Sequence, residues 1–313
     1  MQKNVLIGNG VNIQYGGKDV YSNEAILKRM VENIRDGKYC HLLPDCSIGE
    51  QLNFFEKLHD LLVNIGQCNP PEVYLFLLKE VERIKNQYGP DTVLEQIGME
   101  DYFLALEYGI RKEDSDEFVQ QARWILKVPM LDAIYNDGKI NNIDYGTGFE
   151  KYITSFDKVF TLNYDSNLDR YRTDVKHLHG EFSKLAPEFD SQSEYSAANP
   201  DLCRAATMVP EFAHVYSNTI MSWYWLEKYG KWTGKESEYG ADEFQSLQGQ
   251  LEIVGMSPSN DNHLFHVINS SGVTSVKYYY YTNEEKLRMQ SKISKPLTFE
   301  KVENLWRKIN QKI

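Results

Sequence analysis

Short apolar runs that stop at glycine, or at Asn and Asp, recur along this chain. Asn4 to Ile7 is β-favouring and ends at once in Gly8-Asn9-Gly10, which reads as a buried strand entering a tight turn. Runs of the same kind lie at Lys158 to Asn163, Val175 to Leu178, Leu251 to Val254 and Val273 to Tyr281, and Leu251 to Val254 is closed by Gly255. Without strict alternation of apolar and polar positions, such runs predict a parallel sheet covered on both faces.

Between the first and second runs the spacing turns helical. Ser47-x-x-Glu50 is a capping box ahead of Leu52, Phe55, Leu58, Leu62 and Ile65, a stripe that ends at Gly66. Pro70 and Pro71 open a second helix bearing Val73, Leu75, Leu78, Val81 and Ile84, and further helical patterns start at Thr92, Phe118 and Phe149. The expected fold is α/β, a Rossmann-like doubly wound parallel sheet with a large helical insertion. Residues 1–17 and 157–313 would form the core and residues 18–156 the insertion. The insertion reads as a lid, a partner surface or plain helical bulk. Downstream, the polar stretch Glu181 to Thr207 reads as an active-site loop. Pro210 to Trp232 reads as a helix carrying Trp223, Trp225 and Trp232, and Thr298 to Ile313 as an amphipathic helix.

Composition narrows the function classes. The 313 residues are 42% hydrophobic and 25% charged, in the globular range. A net charge of -11 argues against nucleic acid as a direct partner, since phosphate backbones are met by basic surfaces. Cys40, Cys46, Cys68 and Cys203 contain no C-x-x-C pair, so neither a zinc ribbon nor any other metal site is expected. Scattered cysteines, an N-terminus without a secretory layout and no apolar run near the roughly 18 residues of a membrane span lead to a cytoplasmic expectation.

Four motifs carry candidate chemistry. Ile7-Gly8-Asn9-Gly10-Val11-Asn12 ends a strand in G-x-G, which lets backbone amides approach a pyrophosphate, although the third glycine of the full dinucleotide fingerprint is replaced by Ile13. Phe160-Thr161-Leu162-Asn163-Tyr164-Asp165 delivers Asn163 and Asp165 at a strand's C-terminal end, where ligands bind in open sheets; Asn and Asp there also make turns and caps. His177-Leu178-His179-Gly180 places two histidines on one side of a strand. They could share a metal, but no third ligand stands at a diagnostic spacing, and a single catalytic histidine beside glycine fits better. Ile253-Val254-Gly255-Met256-Ser257 repeats the strand-glycine turn, and the polar Asn260, Asp261 and Asn262 that follow could bond ribose hydroxyls or an adenine edge.

The order of these motifs resembles the sirtuin (silent information regulator) superfamily. It looks most like the sirtuin-like NAD hydrolases of bacterial anti-phage defence and the related AbiH-type abortive-infection proteins. The resemblance covers the strand core, about half the chain, and none of the insertion. It implies NAD+ as substrate, with no further cofactor, and cleavage of its nicotinamide–ribose bond. By motif, Gly8, Asn9 and Gly10 would meet the pyrophosphate, with Asn12 where a serine is usual. Asn163 would orient the ribose and an attacking water, Asp165 would hold the nicotinamide end, and His179 would be the catalytic histidine. Gly255 and Ser257 would contact the adenosine side. The zinc-binding cysteine pairs of the deacylases are missing, which favours water over an acyl-lysine as nucleophile. The resemblance leaves open a homo-oligomer, a partner ATPase or a phage-derived activator as the expected partner. A non-catalytic nucleotide-sensing or assembly module is the alternative.

Overall fold

The structure, a computed structural model, describes residues 2–41, 43, 45–67, 78–109, 116–181, 240–259 and 261–310. Its strands are β1 (Lys3–Ile7), β2 (Lys158–Thr161), β3 (Lys176–His177), β4 (Gln248–Val254), β5 (Gly272–Tyr280) and β6 (Leu297–Lys301). They form one sheet in the order β3-β2-β1-β4-β5-β6, and every neighbouring pair is parallel. The chain moves outward one way from β1 to β3 and the other way from β4 to β6. The strand order therefore reverses between β1 and β4, where the C-terminal ends leave a crevice open to a ligand.

Two hydrophobic layers sandwich the sheet. On one face Val5, Ile7, Val159, Val254 and Tyr279 join a core built largely from helices that follow β1. On the other, Leu6, Phe160, Leu251, Ile253 and Tyr278 join a second core. Val5, Leu6 and Ile7 of β1, and Val159 and Phe160 of β2, go alternately to the two layers, so these central strands are largely apolar on both faces. Asn4 of β1 is polar and fully buried; its Nδ2 donates to the carbonyls of Gln248 (2.8 Å) and Gln250 (3.0 Å) and so pins the bulge in β4.

Between β1 and β2 run α1 (Gly10–Gly16), α2 (Lys18–Tyr21), α3 (Asn23–Arg35), α4 (Ile48–Val63), α5 (Leu78–Gln87), α6 (Met99–Gly109), α7 (Asp116–Tyr135) and α8 (Gly146–Ile153). The Ser47–Glu50 capping box forms, and Phe55, Leu58, Leu62 and Ile65 are buried as their spacing predicts. In α3, which the pattern reading passed over, Ser22 caps the first turn and Ile26, Leu27, Met30, Val31 and Ile34 are buried. The helix expected from Thr92 begins later: a 3-10 turn over Leu94–Gln96 precedes α6. The start of the second expected helix at Pro70 and Pro71 lies outside the described residues, as do the loop from Phe182 to Thr207, the helix from Pro210 to Trp232, Cys68 and Cys203.

After β3 come α9 (Ala241–Gln245), α10 (Asn262–Ser270), α11 (Asn283–Lys292) and α12 (Val302–Asn310). The C-terminal segment corrects one expectation: it does not start as a helix. Leu297–Lys301 is β6, paired with β5 from Val276↔Leu297 to Tyr280↔Lys301, and the helix opens only at Val302. Leu297 and Phe299 alternate with a period of two and pack on the second core, and pairing with β5 supplies the backbone partners that a helical turn would have supplied. Among the described residues no helix is long and apolar enough to cross a membrane.

Candidate functional site

Register brings the motifs together. Ile7 pairs with Thr161 on one side and Val254 on the other, Thr161 pairs with His177, and Val254 with Tyr279, so these five residues form one row across the sheet. Gly8 and Gly255 come one residue after that row, Asn163 and His179 two residues after it. Parallel strands put these successors on one edge, and there they line a single cavity of about 580 Å3 together with Asn9, Gly10, Asn12 and Ser257. That size suits a small-molecule ligand.

The glycines of the two turns are needed first by each other. A Cβ on Gly8 would stand 2.5 Å from the Gly255 oxygen, and one on Gly10 would stand 2.6 Å from the Gly255 Cα. Gly255 itself has φ +71°, and a Cβ on it would meet the Val11 nitrogen at 2.7 Å. The Gly8 amide donates to the Val254 carbonyl (2.9 Å) and the Gly10 amide to the Gly255 carbonyl (2.8 Å). Both amides are thus committed to joining the turns and are not available to a ligand as they stand. The Asn9 side chain is also engaged, donating to the Tyr21 carbonyl at 2.8 Å. The backbone of these turns forms a close-packed floor beneath the cavity.

Asn163 differs from its neighbours. Its backbone is fixed from two sides: its amide donates to Thr161 Oγ1 (3.0 Å), and its carbonyl lies 3.0 Å from His177 Nδ1. Its side chain lines the cavity and is 5% exposed, yet neither Oδ1 nor Nδ2 bonds to any group among the described residues. Buried amides are almost always paired, and an orphan of this kind calls for an explanation.

The two histidines have separate tasks. The other ring nitrogen of His177, Nε2, faces Asp169 Oδ2 at 3.0 Å. Burial alone would lower the His177 pKa. The Asp169 hydrogen bond and charge, with Glu181 and the Asn163 carbonyl, outweigh it and hold the pKa above the ordinary histidine value. His177 is therefore a clamp on the Asn163 turn. His179 lies in the cavity wall, with Nε2 3.4 Å from Asp261 Oδ1.

Asp165 does not line the cavity; it stands behind Asn12. Its carboxylate accepts from Asn12 Nδ2 (2.7 Å), the Asn167 amide (3.0 Å) and Asn167 Nδ2 (2.7 Å). Burial raises its pKa, and these donors oppose the rise. Asn12 Oδ1 in turn accepts from the Tyr145 hydroxyl, while Asn167 bonds the Ile140 carbonyl and the Ile143 amide. Asn12 and Asp165, singled out as ligand contacts, thus spend their side chains on each other and on the turn before α8. The signal for that turn role was present: Asn and Asp at a strand end are the residues that satisfy local backbone.

Helices of the segment between β1 and β2 complete the cavity. Tyr21, Ile26, Met99, Ile134 and Ile140 form an apolar wall, and the Tyr21 hydroxyl donates to the Lys139 carbonyl at 2.9 Å. Lys18, Glu285 and Trp306 also reach it. Sequence reasoning left these out because each sits on a helix or corner with no local mark of a site. Ser257 stands at the exposed end, its Oγ accepting from the Ser259 amide at 3.2 Å. Among the described residues no group of three or more His, Cys, Asp or Glu side chains could hold a metal ion. In comparisons with family models, with curated proteins and with solved structures, the chain matches none.

Proposed function

We propose that this chain binds NAD+ in the crevice above the glycine turns and hydrolyses its nicotinamide–ribose bond. The observation that carries the reading is the Asn163 side chain, a buried amide with one acceptor and two donors bonded to no described group in the wall of a ligand-sized cavity. A ribose with vicinal hydroxyls, or a positioned water, satisfies both ends of such an amide. The reversal of strand order at the cavity and His179, which lines the same cavity as Asn163, support the same reading.

In the reaction, the bond between ribose C1′ and the nicotinamide nitrogen breaks, and its electron pair leaves with nicotinamide. Positive charge spreads over the ribose ring, as in other glycosidic cleavages. Water adds to C1′ and loses a proton to His179, which passes it to solvent, giving nicotinamide, ADP-ribose and H+. Asn163 orients without titrating, and the apolar wall of Tyr21, Ile26 and Met99 excludes bulk water. A role in anti-phage abortive infection, with a homo-oligomer, partner ATPase or phage-derived activator controlling the site, belongs to the same proposal and rests on motif order alone.

The test is chromatography of NAD+ incubated with the purified chain. Nicotinamide and ADP-ribose are expected, and Asn163→Ala and His179→Ala each lower the rate by about a hundredfold or more while circular dichroism stays unchanged. Wild-type rates in both variants would remove the site. Saturable binding of NAD+ without product would make the chain a nucleotide-sensing module instead.

A further inference from the structure

Asp261 precedes α10 at the position where an aspartate ordinarily caps a helix, yet its side chain makes no cap hydrogen bond. Its backbone is left-handed, with φ 56° and ψ 40°, a conformation that costs a non-glycine residue energy and is held where the surroundings impose it. The carboxylate, 8% exposed, reaches the cavity wall, where Oδ1 stands 3.4 Å from Nε2 of His179, itself 5% exposed, within ion-pair reach though outside hydrogen-bond geometry. The two residues come from different strand ends, one after β3 and one after β4, and converge on this contact. Capping therefore does not account for the placement of this aspartate.

We propose that Asp261 is the positioning residue of His179, forming with it a buried histidine–carboxylate dyad. The inference rests on the hydrolase reading for its consequence but not for its geometry. A shielded carboxylate beside an imidazole fixes the ring's orientation and tautomer and favours its protonated form. His179 takes the proton that water loses as it bonds to ribose C1′. The imidazolium that results is then stabilised by the adjoining carboxylate.

Other charges share the space. Lys18 of α2 and Glu285 of α11 line the same cavity, as do Tyr21, Tyr164, Tyr278, Tyr279 and Tyr281, with the Tyr164 ring 6.4 Å from that of His179. Glu181 follows two residues on, and its charge reaches His177. The test therefore watches one ring while only Asp261 changes.

The measurement is an NMR titration of the His179 imidazole in the full chain, assigned with His179→Gln and repeated in Asp261→Asn. The His179 midpoint is expected to fall by about 1 pH unit or more in the variant. In cleavage assays, kcat falls about tenfold or more while KM changes little, the pH profile of the base limb moves with the NMR midpoint, and Asp261→Glu restores part of the rate. Asp261→Gly, which suits φ 56°, is expected to fold at least as stably as the parent and to show the same fall in midpoint, separating the dyad from any folding defect. An unmoved His179 midpoint in both Asp261→Asn and Asp261→Gly overturns the dyad even if NAD+ is cleaved. A lowered midpoint in a chain that never cleaves NAD+ upholds the dyad and removes the hydrolase reading.

Discussion

Gly255 and Asn163 sit at the same sheet edge and answer to opposite demands. A methyl group on Gly255 would strain a φ of +71° and press on the Val11 nitrogen at 2.7 Å, and one on Gly8 would press on the Gly255 oxygen at 2.5 Å. Gly255→Ala and Gly8→Ala are each expected to lower stability by about 1–3 kcal/mol, read as the urea midpoint without any ligand. Unchanged midpoints would return these glycines to a purely ligand-binding role. Asn163→Ala, by contrast, removes an amide that bonds to no described side chain or backbone group, so its midpoint should stay at or above that of the parent. The glycine turns were legible as local sequence, because a strand ending in G-x-G is a short-range pattern. The reason for the glycines was not, since Gly8 and Gly255 are brought together only by pairing of β1 with β4.

At the level of elements, the short strand β3 owes its place to His177. One ring nitrogen meets the Asn163 carbonyl and the other meets Asp169, so the protonated ring donates to both and ties β3 to the turn after β2. Its pKa in the folded chain lies above the ordinary value of about 6.5, so the folded state holds this proton more tightly than the unfolded state does. The sign follows: the stabilisation is complete below about pH 6.5 and is lost as pH rises through the folded value. Urea midpoints of the parent and of His177→Asn, compared across that range, should differ most at the acid end and converge as the ring deprotonates. A gap independent of pH would mean that packing, and not the proton, does the tying. The motif His177-Leu178-His179 had drawn attention for a shared metal or a single catalytic base. Period two put both histidines on one side of the strand, but the sharp turn at Gly180, with φ +83°, and the short length of β3 divide them, one behind the Asn163 turn and one in the cavity. The same limit appears in the C-terminal segment, where two periodicities meet at Lys301 and Val302 and only pairing with β5 decides which applies.

For the whole molecule, the segment between β1 and β2 shares one hydrophobic core with the sheet. Val5, Ile7 and Val159 touch the same cluster as Leu27, Met30, Phe55 and Leu126. A chain in which residues 18–156 are replaced by a short linker would bare that face, and it is expected to lack a cooperative thermal transition and to be cut rapidly by protease. A sharp transition in the shortened chain would mean that the sheet and α12 suffice. By itself the sequence determined the class of fold: five of the six strands among the described residues, the parallel sheet and the helical segment after β1 all follow from short-range periodicity, which depends only on which side chains can be buried along a local backbone. It also marked Gly8, Asn163, His179 and Gly255 as strand-end residues, and the sheet brings them to one edge. Tertiary structure alone decided that Asp165 turns to Asn12, that Asp261 turns to His179, and that Tyr21, Met99 and Ile140 wall the cavity. Each of these contacts joins residues far apart in the chain, and their pairing is set by register, by loop closure and by which buried polar groups remain to be satisfied, none of which a local pattern encodes.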